Sequence, residues 1–338
     1  MKQSKIKNIA CVVMMLYSIT SCKRQELEEP QSYDAVIPIT VDWSSSGISE
    51  QSITNLSVYI YPKDGSTPYI KISSNIDSTS VTLPVGEYSV LVFNDAIGNL
   101  EGINFKQSDE YSLFTAGAIE DTATDDIYYS LGDSQMLVYS HEPLAAWRMD
   151  DFVVSSDMVY NPCCNLSANC TLGVSTIEEL MDISPTPVTA TTTVTLSIDN
   201  LDNAMTIQGV ITGFAAGAYL STNERTSSTL TNVYSFTFQT RDYDDSSEAT
   251  DGTTEVSFYC FGKNLESNTT YELTLDIILN SGERVSVTKD ITSQVEQSDD
   301  YNIVVDLTQE SDVISLPENA GTGFGVESWG DSEHVELL

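Results

Sequence analysis

Two histidines, His141 and His334, are the only imidazoles among the 338 residues. A Ser–His–Asp arrangement needs a strained nucleophile turn and an oxyanion hole, and no Gly-x-Ser-x-Gly run occurs. His334 sits near the carboxyl end in Asp331-Ser332-Glu333-His334, and His141 follows an apolar run ending at Ser140, so it reads as a surface or loop histidine. Paired carboxylates can hydrolyse glycosidic bonds. With 50 Asp and Glu in the chain, however, no one pair stands out. Phosphate-cradling glycine motifs are absent, and Gly321-Thr322-Gly323-Phe324-Gly325 has no strand–helix context. The acidic run Asp242 to Glu248, continued by Asp251-Gly252, offers the oxygen ligands that calcium prefers. The ordered spacing of a calcium loop is missing, and the run reads as a solvated hairpin loop. No catalytic residue, cofactor site or metal site is assigned.

The charge balance narrows the partners. Lys and Arg number 14 against 50 acids, for a formal net charge of −36. Such a surface repels nucleic acid and anionic headgroups. At 41% hydrophobic, the chain is too apolar for a disordered acidic polymer.

The cysteines carry the one covalent chemistry that the sequence supports. Lys2, Lys5 and Lys7 precede the short apolar run Ile9 to Leu16, the pattern of a secretory signal over residues 1–21. The run ends in Ile19-Thr20-Ser21-Cys22, which resembles the bacterial lipobox. By that resemblance Cys22 becomes the first mature residue and carries acyl chains, each buried methylene contributing about 0.8 kcal/mol of membrane affinity. Residues 22–34 follow as an acidic tether, similar to the surface-export signal of Bacteroidetes lipoproteins. Of the remaining cysteines, Cys163, Cys164 and Cys170 cluster, and a disulfide from the adjacent pair to Cys170 or Cys260 suits an oxidising compartment. A zinc site is not supported, because no histidine lies near the cluster. Cys260 lies in Val256-Ser257-Phe258-Tyr259-Cys260-Phe261 and reads as a small buried hydrophobe.

The elements around these residues read as strands. Val36 to Trp43 alternates apolar and polar, as does Leu56 to Tyr61, the period of a half-buried strand. Tyr88 to Asn94 is apolar at both parities, which places it between two covered layers. Further strands are expected at Ile70–Ile72, Ser80–Leu83 and Gln135–Ser140. A short helix is expected over Thr176–Met181, ended by Pro185 and Pro187. The second half carries strands at Thr191–Ile198, Met205–Ile211, Tyr234–Gln239, Val256–Phe261 and Tyr301–Leu307. A hairpin is expected from Tyr271–Leu279 through Asn280-Ser281-Gly282-Glu283 into Val285–Thr288. The fold class is all-β, with sandwich domains over 35–185 and 186–310. A Gly- and acid-rich tail follows over 311–338, in which only Val326 and Trp329 look able to dock.

One strand opening recurs in each half: Leu83-Pro84-Val85-Gly86-Glu87-Tyr88 and Leu265-Glu266-Ser267-Asn268-Thr269-Thr270-Tyr271. With the lipobox and two successive sandwich patterns, the chain resembles the fimbrillin superfamily of Bacteroidetes, in particular its lipoprotein members of the minor-fimbrium anchor type. That resemblance implies two tandem transthyretin-like sandwiches. It also implies assembly with other fimbrial subunits by β-strand pairing, at a surface-exposed site on the outer membrane. Stalk subunits of the superfamily are cut after an arginine near the start of the first domain, which frees a groove. Here no arginine lies between Arg24 and Arg148, so the Val36–Trp43 strand is expected to stay in place. The alternative is a surface lipoprotein that binds glycan or a host ligand on some of its 17 tyrosines. Most of these fall in strands (Tyr59, Tyr61, Tyr88, Tyr139, Tyr234, Tyr259 and Tyr271), where tyrosine is usually a packing residue. Asp121-Thr122-Ala123 resembles a short O-glycosylation acceptor of exported Bacteroidetes proteins.

Overall fold

The computed structural model describes residues 34–120, 135–156, 158, 182–226, 231–238, 251–264 and 269–317. Among these residues the strands are, in chain order, β1 (Ala35–Val41), β2 (Leu56–Pro62), β3 (Tyr69–Ser73), β4 (Ser78–Leu83), β5 (Gly86–Asn94), β6 (Ile103–Lys106), β7 (Thr115–Ala118), β8 (Gln135–Tyr139), β9 (Ala145–Val154) and β10 (Asp182–Ile183). They continue with β11 (Thr186–Pro187), β12 (Ala190–Asp199), β13 (Ala204–Phe214), β14 (Gly217–Tyr219), β15 (Thr231–Phe238), β16 (Asp251–Cys260), β17 (Glu272–Leu279), β18 (Arg284–Asp290), β19 (Asn302–Leu307) and β20 (Ile314–Ser315). The expected helix at Thr176–Met181 lies outside the described residues.

The first sandwich packs the sheet β10-β1-β4 against the sheet β11-β9-β5-β2-β3. In β1 the side chains of Ala35, Ile37, Ile39 and Val41 are buried and those between them exposed, as the alternation requires. They meet Val58, Ile60, Val90, Val92 and Phe152 from the facing sheet. β5 is buried at every position from Tyr88 to Asn94. Its inner side chains join this core, while Leu91 and Phe93 point the other way with Tyr59 and Tyr61.

That outer face is covered by the small sheet β14-β7-β6. Phe114 lies 5.5 Å from Tyr59 and 5.9 Å from Phe93, ring centre to ring centre, and Phe105 lies 5.7 Å from Phe93. The same core runs on into the second sandwich, where β16-β12-β19 faces β18-β17-β13-β15-β8. There β12 buries alternate residues over its whole length, and Phe258 stacks on Phe236 at 4.9 Å. The expected hairpin is β17–β18, closed by Gly282 at φ 84.

Pairings cross the 185/186 position in both directions. β8 lies parallel to β15, and β14 lies antiparallel to β7. The second pairing brings two backbones so close that a Cβ on Gly217 would run into the Ala116 carbonyl. The loop after β14 then acts as a clasp. Arg148 Nη1 donates to the Leu220 carbonyl at 3.3 Å, and Arg225 Nη1 to that of Val188 at 2.8 Å. Asn223, held at φ 62, donates its amide to the Pro187 carbonyl and the Tyr301 hydroxyl. The chain beyond β19 also docks further than composition suggested. β20 extends the β12 edge, Ile314 and Leu316 are buried, and Asn200 and Asn203 donate to the carbonyls of Leu316 and Pro317.

A buried polar knot ends β5. Asp95, at φ 61, accepts from the backbone amides of Thr54 and Asn55 and from the Thr54 hydroxyl. Beside it Asn94 donates to the Pro143 carbonyl and accepts from the Ala145 amide. Together they fix the starts of β2 and β9 against the end of β5. Asp95→Ala removes the acceptor shared by these part-buried donors and sets alanine at a left-handed φ, and is expected to lower unfolding free energy by about 2 kcal/mol. Asp95→Asn keeps the acceptor and tolerates the left-handed backbone, so urea titration should show a smaller loss for it.

Candidate functional site: strand seats and free edges

The residues of interest for assembly are those that decide which strand edges are satisfied. β1 is the middle strand of its sheet. Six residues, Ala35 to Thr40, pair antiparallel with β4, and Thr40 and Val41 pair parallel with β10. Burying side chains such as Ile37 and Ile39 stabilises the seat by about 2 kcal/mol each. Trp43 then pins the exit, buried and with its indole N–H on the Ile76 carbonyl at 3.0 Å. In the uncut chain the expected strand forms as β1 over Ala35–Val41 and occupies the middle of its sheet.

β3 is the opposite case. It ends the five-stranded sheet, paired only with β2 among the described residues. Tyr69, Ile70, Lys71 and Ile72 are all exposed. At the Tyr69 end, a cleft of about 390 Å³ lies between the turn after β2 and the turn before β5. Pro62, Lys63, Tyr69, Pro84, Val85 and Tyr88 line it. The Tyr88 hydroxyl donates to the Pro84 carbonyl at 2.8 Å, and the Tyr69 ring stands edge-on to Tyr88 at 6.3 Å.

The residues singled out for chemistry separate clearly. Cys22, Cys163, Cys164, Cys170, the Asp242 to Glu248 run, Asp121-Thr122-Ala123 and His334 lie outside the described residues. Cys260 is free and buried, its sulfur near the Thr192 hydroxyl at 3.3 Å. Burial pushes its thiol up to about 11, so it is a packing residue and not a nucleophile. Tyr59, Tyr61, Tyr88, Tyr234 and Tyr271 are buried in the cores.

His141 lies in the loop between β8 and β9, as the loop half of the sequence reading has it, but it is not at the surface. It is 3% exposed, with the Phe261 ring 4.7 Å away. Nδ1–H donates to the Glu142 carbonyl at 2.9 Å, which leaves Nε2 to accept from the Tyr234 hydroxyl at 3.3 Å. The Tyr234 oxygen in turn accepts from the Asn232 amide and the Phe261 backbone N–H. The ring is thus satisfied as neutral imidazole. Its partners come from β15 and the end of β16, far along the chain, so no local signal pointed to burial.

A family model described as a domain of unknown function, DUF5119, matches residues 21–235. The chain belongs to the DUF5119 family. A search of curated proteins finds no match. Among solved structures, this DUF5119 chain shares its fold with a "putative adhesin" from Bacteroides ovatus, 17% identical, with a TM-score of 0.55. That match covers 84% of this chain and 93% of the other. A second Bacteroides ovatus "putative adhesin" is 10% identical at a TM-score of 0.48, covering 85% and 90%. The fimbrial anchor protein Mfa2 from Porphyromonas gingivalis is 12% identical at 0.41, covering 81% and 90%. The likeness to the first of these structures is one of fold.

Burial holds the His141 imidazole down at about 4, against about 6.5 in an unfolded chain. The unfolded state therefore binds the extra proton first. The contribution of neutral His141 to stability is complete above about pH 6.5 and is lost as pH falls towards 4, by something of the order of 3 kcal/mol. Urea unfolding of wild type and His141→Gln across pH 4 to 7 should show the variant missing that part of the slope.

Proposed function

We propose that this DUF5119 protein is a cell-surface lipoprotein that serves as an anchor or accessory subunit of a fimbrium. Acyl chains on Cys22 hold it to the outer membrane, and β-strand pairing joins it to other fimbrial subunits. The observation that carries the reading is the seat of β1. A subunit whose first strand fills its own sandwich has no vacancy there for a donor strand, so growth through that position ends at this molecule. The basic start of the chain, the short apolar run and the Ser21-Cys22 step support the lipid end. The adhesin description of the Bacteroides ovatus protein that shares this fold accords with a surface role. The glycan-binding alternative would draw on the strand tyrosines, and those at 59, 61, 88, 234 and 271 are spent on packing.

Replacing Cys22 by Ser is expected to release the protein from the outer-membrane fraction and to leave fimbriae detached or altered in length. The wild-type protein extracted from the surface should begin at a blocked Cys22. Retention of the Ser variant with normal fimbriae, or a mature terminus beyond residue 43, would overturn the reading.

A further inference from the structure

We propose that the free edge of β3 accepts an extended strand from a partner subunit, one that sets a carboxylate opposite Lys71 and apolar side chains opposite Ile70 and Ile72. The inference rests on the strand-pairing part of the reading above and names the edge that does the pairing.

Soluble proteins guard their edge strands with shortness, charge, proline or bulges, because unpaired main-chain groups recruit other strands. β3 is short and carries one lysine, but the rest of it is unguarded. Ile70 is 55% exposed, Ile72 49% and Tyr69 39%. The pairing with β2 fixes their directions. Ile70 and Ile72 share the face of Tyr59, and Tyr69 and Lys71 share the face of Ile60 and Val58. Both faces are open, because the opposing sheet ends at β4 and leaves Tyr69 and Lys71 uncovered. Val85, 53% exposed, adds apolar surface at the rim of the cleft beside Tyr69. An added strand would therefore meet main-chain groups along Tyr69–Ser73 and an isoleucine pair on one face. On the other face it would meet a cation, with a cleft at one end for a terminal side chain.

The chemistry of the edge selects the occupant. A second copy laid antiparallel and centred on Lys71 would pair Ile70 with Ile72, but would set Lys71 directly against Lys71, which is repulsive. Lys71 forms no ion pair with any described residue, whereas nearby Lys63 already meets Asp151 at 3.4 Å. A free ammonium between two exposed isoleucines, in a chain of net charge −36, is complementary to an acidic residue flanked by apolar ones. At physiological ionic strength the repulsion from the rest of the acidic surface is screened within about 8 Å, so the local pair decides.

The test uses the purified full chain and two blocked synthetic peptides, one with a central Glu among valines and threonines, the other with Lys in its place. Fluorescence titration and amide hydrogen exchange are the readouts. The Glu peptide is expected to slow exchange over Tyr69–Ser73 and to bind about fivefold more tightly than the Lys peptide. Lys71→Glu should reverse that preference, and Ile70→Thr with Ile72→Thr should abolish the protection. All three side chains are exposed, so unchanged melting curves will show that the variants fold. Absence of protection at β3, protection elsewhere only, or binding indifferent to the charge at position 71 would each overturn the proposal. So would a concentration-dependent dimer that Ile70→Thr abolishes, since it would make the occupant a second copy. The cellular Cys22→Ser experiment does not depend on this edge, so failure here leaves anchoring to be judged separately.

Discussion

A strand that is apolar on both sides has to be covered twice, and β5 sets that requirement for the whole molecule. Its inner side chains, Tyr88, Val90 and Val92, are covered by the sheet that contains β1. Its outer side chains, Leu91 and Phe93, share a core with Phe105 on β6 and Phe114 just ahead of β7, and the three-stranded sheet that carries them is completed by β14. β14 comes from the far half of the chain, so satisfying one strand in the first half binds the two halves together. The hydrophobic effect supplies the drive, roughly 25 cal/mol for each Å² removed from water. Polar groups then fix the geometry. Arg148 reaches the Leu220 carbonyl in the far half, and Arg225 and Asn223 hold the carbonyls of Val188 and Pro187 where the chain passes from one half to the other.

Much of this was legible in the residues. Alternation over Val36 to Trp43 marked β1, and burial at Ala35, Ile37, Ile39 and Val41 follows it residue by residue. The unbroken apolar run from Tyr88 placed β5 between layers, and Asn280-Ser281-Gly282 marked the β17–β18 hairpin. Other features had no local signature. The parallel contact of β8 with β15 joins residues about a hundred positions apart, and the three-residue β14 is too short to show a period. His141 read as a surface or loop histidine because it follows a strand-like run ending at Ser140. Its cover arrives from Tyr234 and Phe261, which only tertiary structure brings near. The end of the chain misled in another way, since acidic and glycine-rich composition hid Ile314 and Leu316, two apolar residues that dock beside β12.

The same accounting of edges distinguishes strands enclosed between neighbours from strands that end a sheet, such as β3, β6 and β18. β1, between two neighbours, has its seat filled; β8 and β14 are committed to the opposite half. Among the described residues, β3 is the sheet-ending strand that combines an unpaired edge with two exposed isoleucines and a lysine that forms no ion pair.

The β1–β4 ladder also has a mechanical meaning. Antiparallel hydrogen bonds lie across the strand direction. Tension that enters the chain ahead of Ala35 and runs along β1 therefore loads the six registered pairs with β4 together, in shear, and cannot peel them one at a time. With Trp43 wedged under the far end, the first sandwich is built to carry a pull delivered through its amino terminus without unravelling there.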